Sequence, residues 1–522
     1  MVESECGRAA SSSVLIIEPR GLSRMSRRIR VSAVLMVLLL ATAAESFAQN
    51  PRLELGRRLK RFEIGWEAAP AARRVAAVPF LKTAVRSFFS LRLTEAGRQL
   101  DNAWLAVSNG ERPNSLTRSM IGSQLLVSPL CADTEDGLLT LKLTSFYPAD
   151  IDPSADAIVQ LKLARVTGEK IAETEFAIPQ LTSGANWKID QIPEGDHILS
   201  VIIRDEESSF ALPPISVSRI NDLTRRLQEL KEGADALKKV TRSEAAQDAD
   251  FTLAATLRDE TRFLENVIKG VPQEADFPVL QRLENCEAML ASRNQPVGFA
   301  KKLSATRQVW LTLASGRRSV STRVHLPPDS NKPAPVLFVF HGAGGSENMF
   351  FETYGAGRVI DEAAKRGWIV VSPRQGLFGL PLDISEMLGA LEMFVPLDRT
   401  RVMLLGHSMG ASQAVTQVKK HPALPVAAVA LGGGGRVSDG DAKRSQQVSW
   451  FIGAGDQDFG LSGAQQMNGS LTAAKSSVRF EVYKNVEHLV VVQAAIDDVF
   501  QFLDETLAKL PDSDMIGSPE PR

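Results

Sequence analysis

The stretch LLGHSMGAS, residues 404–412, sets Ser408 between Gly406 and Gly410, after an apolar run and before the helix-forming run SQAVTQVKKH. A serine hydroxyl is a poor nucleophile until a base removes its proton, and that base needs an orienting carboxylate. Both residue types follow in order. Asp456 stands in FIGAGDQDFG at Gly-x-x-Asp spacing from Gly453, with Asp458 a rival acid two residues on, and His488 lies in YKNVEHLVV. Asp456 is the preferred acid on this spacing. A fourth element is the glycine-rich VFHGAGGSE, where a backbone N–H can meet developing negative charge. Ala343 is the expected donor there, and Met409, next to the nucleophile, the second. Losing one such donor costs about 3 kcal/mol of transition-state stabilisation.

Other residues invite chemistry and have plainer readings. His341 opens the glycine-rich loop and reads as a histidine bonded to backbone. His407 reads as packing or shaping the site, and His421, before Pro422, as a helix cap or exposed residue. LGGGGR (431–436) lacks the GK[S/T] ending of a phosphate loop and reads as a wide turn. GAGDQDFG lacks the helix and second acid of a dinucleotide site. Cys131 and Cys286 are far apart and read as buried small apolar residues. Without a CxxC or Cys/His cluster, zinc is not indicated. No metal or organic cofactor is implied.

The elements that must hold these residues begin near residue 309. Strands are expected at 309–313, 320–325, 336–340, 368–372, 402–405, 427–431, 448–453 and 478–483, with helical stretches between the later ones. Continuous apolar runs such as VLFVF and VMLL mark strands buried on both faces of a mostly parallel sheet. Ser408 then sits on a sharp strand-to-helix turn, where Gly406 and Gly410 leave room for the adjoining backbone.

HGAGG, GHSMGA, GAGD and the isolated His488, read together, resemble an α/β-hydrolase of the esterase, polyhydroxybutyrate-depolymerase-like and feruloyl-esterase-like type, over about residues 305–510. Glu487 stands where glycine often precedes the histidine. The resemblance implies a serine hydrolase that cleaves carboxylic esters through an acyl-enzyme. Its parts would be Ser408 as nucleophile, His488 as base, Asp456 as acid, and the Ala343 and Met409 amides as oxyanion hole. A prolyl-oligopeptidase-like peptidase shares this catalytic fold, but the N-terminal half shows no propeller repeat. A binding or scaffold protein with a vestigial hydrolase domain is the reading from another class, and all four elements standing in order speak against it.

A chain of 522 residues exceeds one ordinary core. Its 60 basic and 61 acidic residues give no overall field for nucleic acid. Arg24, Arg27, Arg28 and Arg30 precede an apolar run over 31–44 and the small residues of SFA. Residues 1–48 therefore read as a signal peptide, with Met25 as the expected start, and the mature chain as secreted or periplasmic without a stable membrane span. A helical region is expected over 49–124, and a small β-sandwich, immunoglobulin-like, over 125–217, where apolar residues alternate at period two. Ile220, Leu223, Leu227, Leu230, Ala234 and Leu237 form a short heptad seam within a helical hairpin or bundle over 218–295. The catalytic domain spans 300–510, followed by a disordered tail over 511–522.

These boundaries place all the chemistry in the last domain, and leave residues 50–300 to targeting or access. The connection after the sixth strand, 432–447, is too short and too polar to serve as a lid. The segment 373–385, with Leu377, Phe378 and Leu380, is the expected apolar rim. Together they predict an open cleft suited to short acyl chains, or to an ester carried on a larger polar molecule or polymer.

Overall fold

The computed structural model describes residues 51–108, 120–148, 157–204, 209–237, 249–271, 273–276, 278–294, 307–316, 318–328, 332–376 and 382–511. The expected signal segment, the tail beyond 511 and the Leu377, Phe378 and Leu380 rim lie outside the described residues. No described helix is long and apolar enough to cross a membrane.

Three helices open the described chain: α1 (Pro51–Ala68), α2 (Ala71–Phe89) and α3 (Leu93–Ser108). Nine strands follow: β1 (Ser123–Ser128), β2 (Cys131–Asp133), β3 (Leu138–Ser145), β4 (Ile158–Arg165), β5 (Lys170–Ala177), β6 (Ala185–Lys188), β7 (Gly195–Arg204), β8 (Ser209–Ala211) and β9 (Ile215–Ile220). They form two sheets, β1-β3-β6 and β2-β9-β7-β4-β5, with β8 on β7. Their period-two apolar residues, such as Leu139 and Leu141 of one sheet and Leu161 and Val201 of the other, meet in one core.

Helices α4 (Leu223–Ala236), α5 (Ala249–Ile268) and α6 (Val279–Ala291) come next. The heptad seam is consumed inside the chain: Leu223, Leu227 and Leu230 share a core with the first strand of the following sheet. That sheet has eight strands: β10 (Gln308–Ser315), β11 (Arg318–His325), β12 (Ala334–Phe340), β13 (Ile369–Pro373), β14 (Leu397–His407), β15 (Pro425–Leu431), β16 (Ser449–Gly455) and β17 (Val478–Tyr483). Its order is β10-β11-β13-β12-β14-β15-β16-β17. The β10–β11 and β11–β13 pairs are antiparallel and the rest parallel. This is the mostly parallel sheet that the apolar runs predicted, with its antiparallel pairs at one edge. Both faces are covered, as the apolar runs require: Val336, Phe338 and Phe340 of β12 enter one core, Leu337 and Val339 the other. Helix α7 (Met409–Lys420) leaves β14 at Ser408, and α8 (Val491–Leu507) closes the fold.

The N-terminal helices are not a separate module. The described residues fall in one compact unit, Gln49–Arg522. Phe62 and Trp66 of α1 and Leu81 of α2 lie in the same core as Val490, Ile496 and Leu503 around α8. Polar ties cross the same boundary. The buried Glu63 carboxylate accepts from Gly355 N at 2.9 Å, and burial pushes that carboxyl up to about 8. Arg52 donates to Gly344 O at 2.6 Å, and Lys82 to Gln457 at 2.6 Å. Arg58, fully buried, pairs with Asp101 and donates to Ile121 O at 3.0 Å and Ser123 O at 3.1 Å, so α1, α3 and the sandwich are knotted together.

A catalytic region that starts near Pro296 therefore cannot stand apart from residues 50–300. Each large side chain left uncovered forfeits about 1.5–3 kcal/mol, against a total stability of about 5–15 kcal/mol. A chain beginning at residue 296 is expected to lose its cooperative thermal transition and to bind a hydrophobic dye. A sharp melt for that fragment, close to the full-length Tm, would show the helical layer to be dispensable.

Candidate active site

Strand β14 ends at His407 and α7 begins at Met409, so one residue makes the turn. Ser408 has φ 57° and ψ −117°, a strained conformation for a side-chain-bearing residue. The glycines around it are required sterically. A Cβ on Gly406 would lie 2.0 Å from Gly410 O, and one on Gly410 1.8 Å from Phe340 O. The Met409 N–H opens α7, where a helix supplies no acceptor of its own. Ala343 lines the cavity that Ser408 faces.

His488 enters from the loop after β17. Its Nε2 lies 2.9 Å from Ser408 Oγ, and its Nδ1 2.8 Å from Asp458 Oδ1. The histidine is buried, and Glu487 caps its turn by accepting from Leu489 N at 2.8 Å. Burial pushes the Glu487 carboxyl up to about 7.

Asp456 is not the partner of His488, which corrects the spacing argument. β16 runs on to Gly455, so Asp456 is only the first residue beyond it. Its N–H continues the pairing to Tyr483 O at 2.9 Å, and its exposed carboxylate accepts from Asn485 N at 2.8 Å. The turn closes by Asp458 N donating to Gly455 O at 3.2 Å, which brings the second aspartate back inward. Burial works against the Asp458 charge. The His488 hydrogen bond, with Gly460 N at 2.7 Å, outweighs it, and the carboxyl is held below the usual range.

Three further features complete the site, of which the sequence reading had only His407, as a residue shaping it. His407 is buried between two hydrogen bonds: Nδ1 lies 2.8 Å from Tyr354 Oη, and Nε2 2.9 Å from the carbonyl of His488. Gly342 N donates to the same Tyr354 oxygen at 3.0 Å. With the tyrosine hydroxyl donating to Nδ1, every partner is satisfied when the proton sits on Nε2. One neutral imidazole thus ties the glycine-rich loop to the histidine loop. Burial, with His488 adding to it, pushes His407 down to about 3, so it stays neutral in this role. Nothing near Tyr354 in the sequence advertises this, although a buried tyrosine hydroxyl must find a partner.

His341 does bond backbone. Its Nε2 accepts from Gln375 N at 3.0 Å and its Nδ1 donates to Gly342 O at 2.7 Å. Burial pushes it down to about 4. Gly432, the first of the GGGG run, has φ +60°, and a Cβ there would press on Asp458 Oδ2 at 3.0 Å and His407 Nε2 at 3.1 Å. Cys131 and Cys286 are both buried and free.

The third feature is the cover. The cavity at Ser408 measures about 140 Å³, and its other wall is built from α1, α2 and α3, with Leu55, Leu59, Ala84, Val85, Phe88 and Leu100 facing it. Phe88 rests on the glycine-rich loop, where a Cβ on Gly344 would come within 2.4 Å of its ring. Phe459 lies over His488 at 4.1 Å between ring centroids and meets Phe89 edge-on at 6.3 Å. Phe459 is 61% exposed and Phe89 54%, an apolar rim beside the site. The open cleft expected from the short 432–447 connection is therefore not what the fold builds. That connection holds only a six-residue helix, Asp439–Arg444, and helices some 300 residues earlier in the chain cover the serine.

Residues 336–513 match the model of the alpha/beta hydrolase family. No curated protein matches the chain. Among solved structures, a ferulic acid esterase aligns at 19% identity over 38% of this chain and 97% of its own, with a TM-score of 0.34. A feruloyl esterase module from Clostridium thermocellum aligns at 19% identity over 38% of this chain and 88% of its own, TM-score 0.33. An S-formylglutathione hydrolase from Agrobacterium tumefaciens aligns at 15% identity over 39% and 97%, TM-score 0.31.

Proposed function

We propose that this chain is a serine hydrolase that cleaves carboxylic esters through an acyl-enzyme on Ser408. The observation that carries this reading is the continuous hydrogen-bonded line Ser408–His488–Asp458, with both contacts below 3 Å, on a strained turn beside a glycine-rich loop. Ser408 Oγ attacks the ester carbonyl while His488 Nε2 takes its proton. The oxyanion is received by the N–H groups of Met409 and Ala343, and Asp458 holds the proton on His488 Nδ1 and stabilises the imidazolium. His488 then protonates the departing alkoxide, and in the second half-reaction it activates the water that frees the acid.

The covered cavity favours an ester over a polypeptide. Its volume of about 140 Å³ is below the roughly 300–1,000 Å³ of sites that enclose drug-sized ligands. The basic and apolar N-terminal segment supports an exported enzyme.

A rapid-quench reaction with a p-nitrophenyl ester tests the reading. The expected result is a burst of p-nitrophenol, with the acyl mass found on the peptide that carries Ser408. Faster turnover of a peptide p-nitroanilide, or acylation at another residue, would refute it.

A further inference from the structure

The cavity at Ser408 has a composition as well as a volume. Of the wall supplied by α1–α3, Leu55, Leu59, Ala84, Val85, Phe88 and Leu100 are apolar. Two charged groups stand at its edge: Arg52, exposed, donates to Gly344 O at 2.6 Å, and Glu274 accepts from Ser346 Oγ. Against the apolar wall, away from that edge, a polar or charged substrate group would leave its water without gaining a partner, which is costly. An apolar group gains about 0.8 kcal/mol per methylene, close to four-fold in a binding or rate constant. The size sets a limit. A cavity of about 150 Å³ lined by leucine, isoleucine and phenylalanine holds one benzene, and this one is about 140 Å³.

From these walls we infer that the helical layer α1–α3 forms the acyl site of this enzyme, and that it takes an apolar acyl group of about six carbons, straight-chain or aryl. The inference rests on the serine-hydrolase reading and adds the substrate class. Acetyl leaves most of the space unfilled. Dodecanoyl exceeds it. Phe88 and Ala84 set the boundary, the first by lying across Gly344 and the second by being the smallest side chain facing the cavity from α2.

The test measures kcat/KM of the full-length protein for p-nitrophenyl acetate, butyrate, hexanoate, octanoate, dodecanoate and benzoate. Labelling of Ser408 by a small fluorophosphonate is followed in parallel. Values should rise about two- to four-fold per methylene from acetate to hexanoate, accept benzoate, and fall by dodecanoate. Ala84→Leu should move the optimum towards butyrate and Phe88→Ala towards octanoate, each with Ser408 still labelled and a cooperative melt. If Ser408 is labelled but rates are flat with chain length, or highest for acetate or dodecanoate, the acyl site is wrong and the hydrolase reading stands. An optimum that neither variant moves would also overturn it. If Ser408 is neither labelled nor acylated, the hydrolase reading itself falls and the acyl site with it.

Discussion

Ser408→Ala is expected to lower kcat towards its preferred ester by about 10⁶-fold, and His488→Ala by a similar factor. The equality follows from the geometry. The serine is useful only when Nε2, 2.9 Å away, can take its proton, and the imidazole only when it has that hydroxyl to deprotonate. The double variant should therefore be no worse than either single one. What remains is the contribution of the oxyanion donors and of substrate binding, about 10³- to 10⁴-fold over water. Stability should change little in Ser408→Ala. Alanine meets the same left-handed backbone penalty at φ 57° that serine already bears, and Gly406 and Gly410 still allow the turn. Steady-state kinetics with burst analysis, alongside thermal melts, checks this. Multiplicative losses in the double variant would show that the two residues act separately.

What was legible in the chain depended on how local its cause was. The sheet could be read because strands buried on both faces need unbroken apolar runs, and VLFVF and VMLL have no other use. Ser408 could be read because two glycines and a strand-to-helix turn are a local steric condition. His488 followed from chain order. The cover could not be read. Leu55, Ala84 and Phe88 look like any residues on the apolar face of amphipathic helices, and only the tertiary fold lays that face on a loop more than 250 residues later. Tyr354, and the bonds by which His407 shapes the site, were hidden for a related reason. Their value lies in a bond between two loops, and neither loop's own residues specify the other. The division of the chain into separate domains failed on the same ground. Changes of period mark changes of secondary structure faithfully, but say nothing of which faces share a core.

Asp458→Asn is expected to lower kcat by about 10⁴-fold, and Asp456→Asn to leave it within about a factor of three. The two aspartates are separated by one residue and by opposite surroundings. Past Gly455 the β16 loop runs against the β17 loop so closely that a Cβ on Gly455 would lie 1.9 Å from Val486 O. Asp456 and Gln457 keep their N–H groups on Tyr483 O and Val486 O, which leaves the Asp456 side chain outward on Asn485 N. Asparagine can accept that same bond, so little is lost. At 458 the carboxylate accepts from His488 Nδ1–H, and an asparagine amide there can donate instead. It would then stabilise the tautomer protonated on Nε2, which cannot take the serine proton. The expected signature is a fall in kcat larger than any change in KM, with the melt preserved. Burial opposes the Asp458 charge and His488 restores it, so the carboxyl lies below its ordinary value and supports folding above the unfolded-state pKa, fading as pH falls through the folded one. Asp458→Asn should accordingly weaken the rise in stability between strongly acid and mildly acid solution, while Asp456→Asn should not. Loss of activity in Asp456→Asn with Asp458→Asn active would reverse the assignment and return the acid to the residue that spacing alone favours.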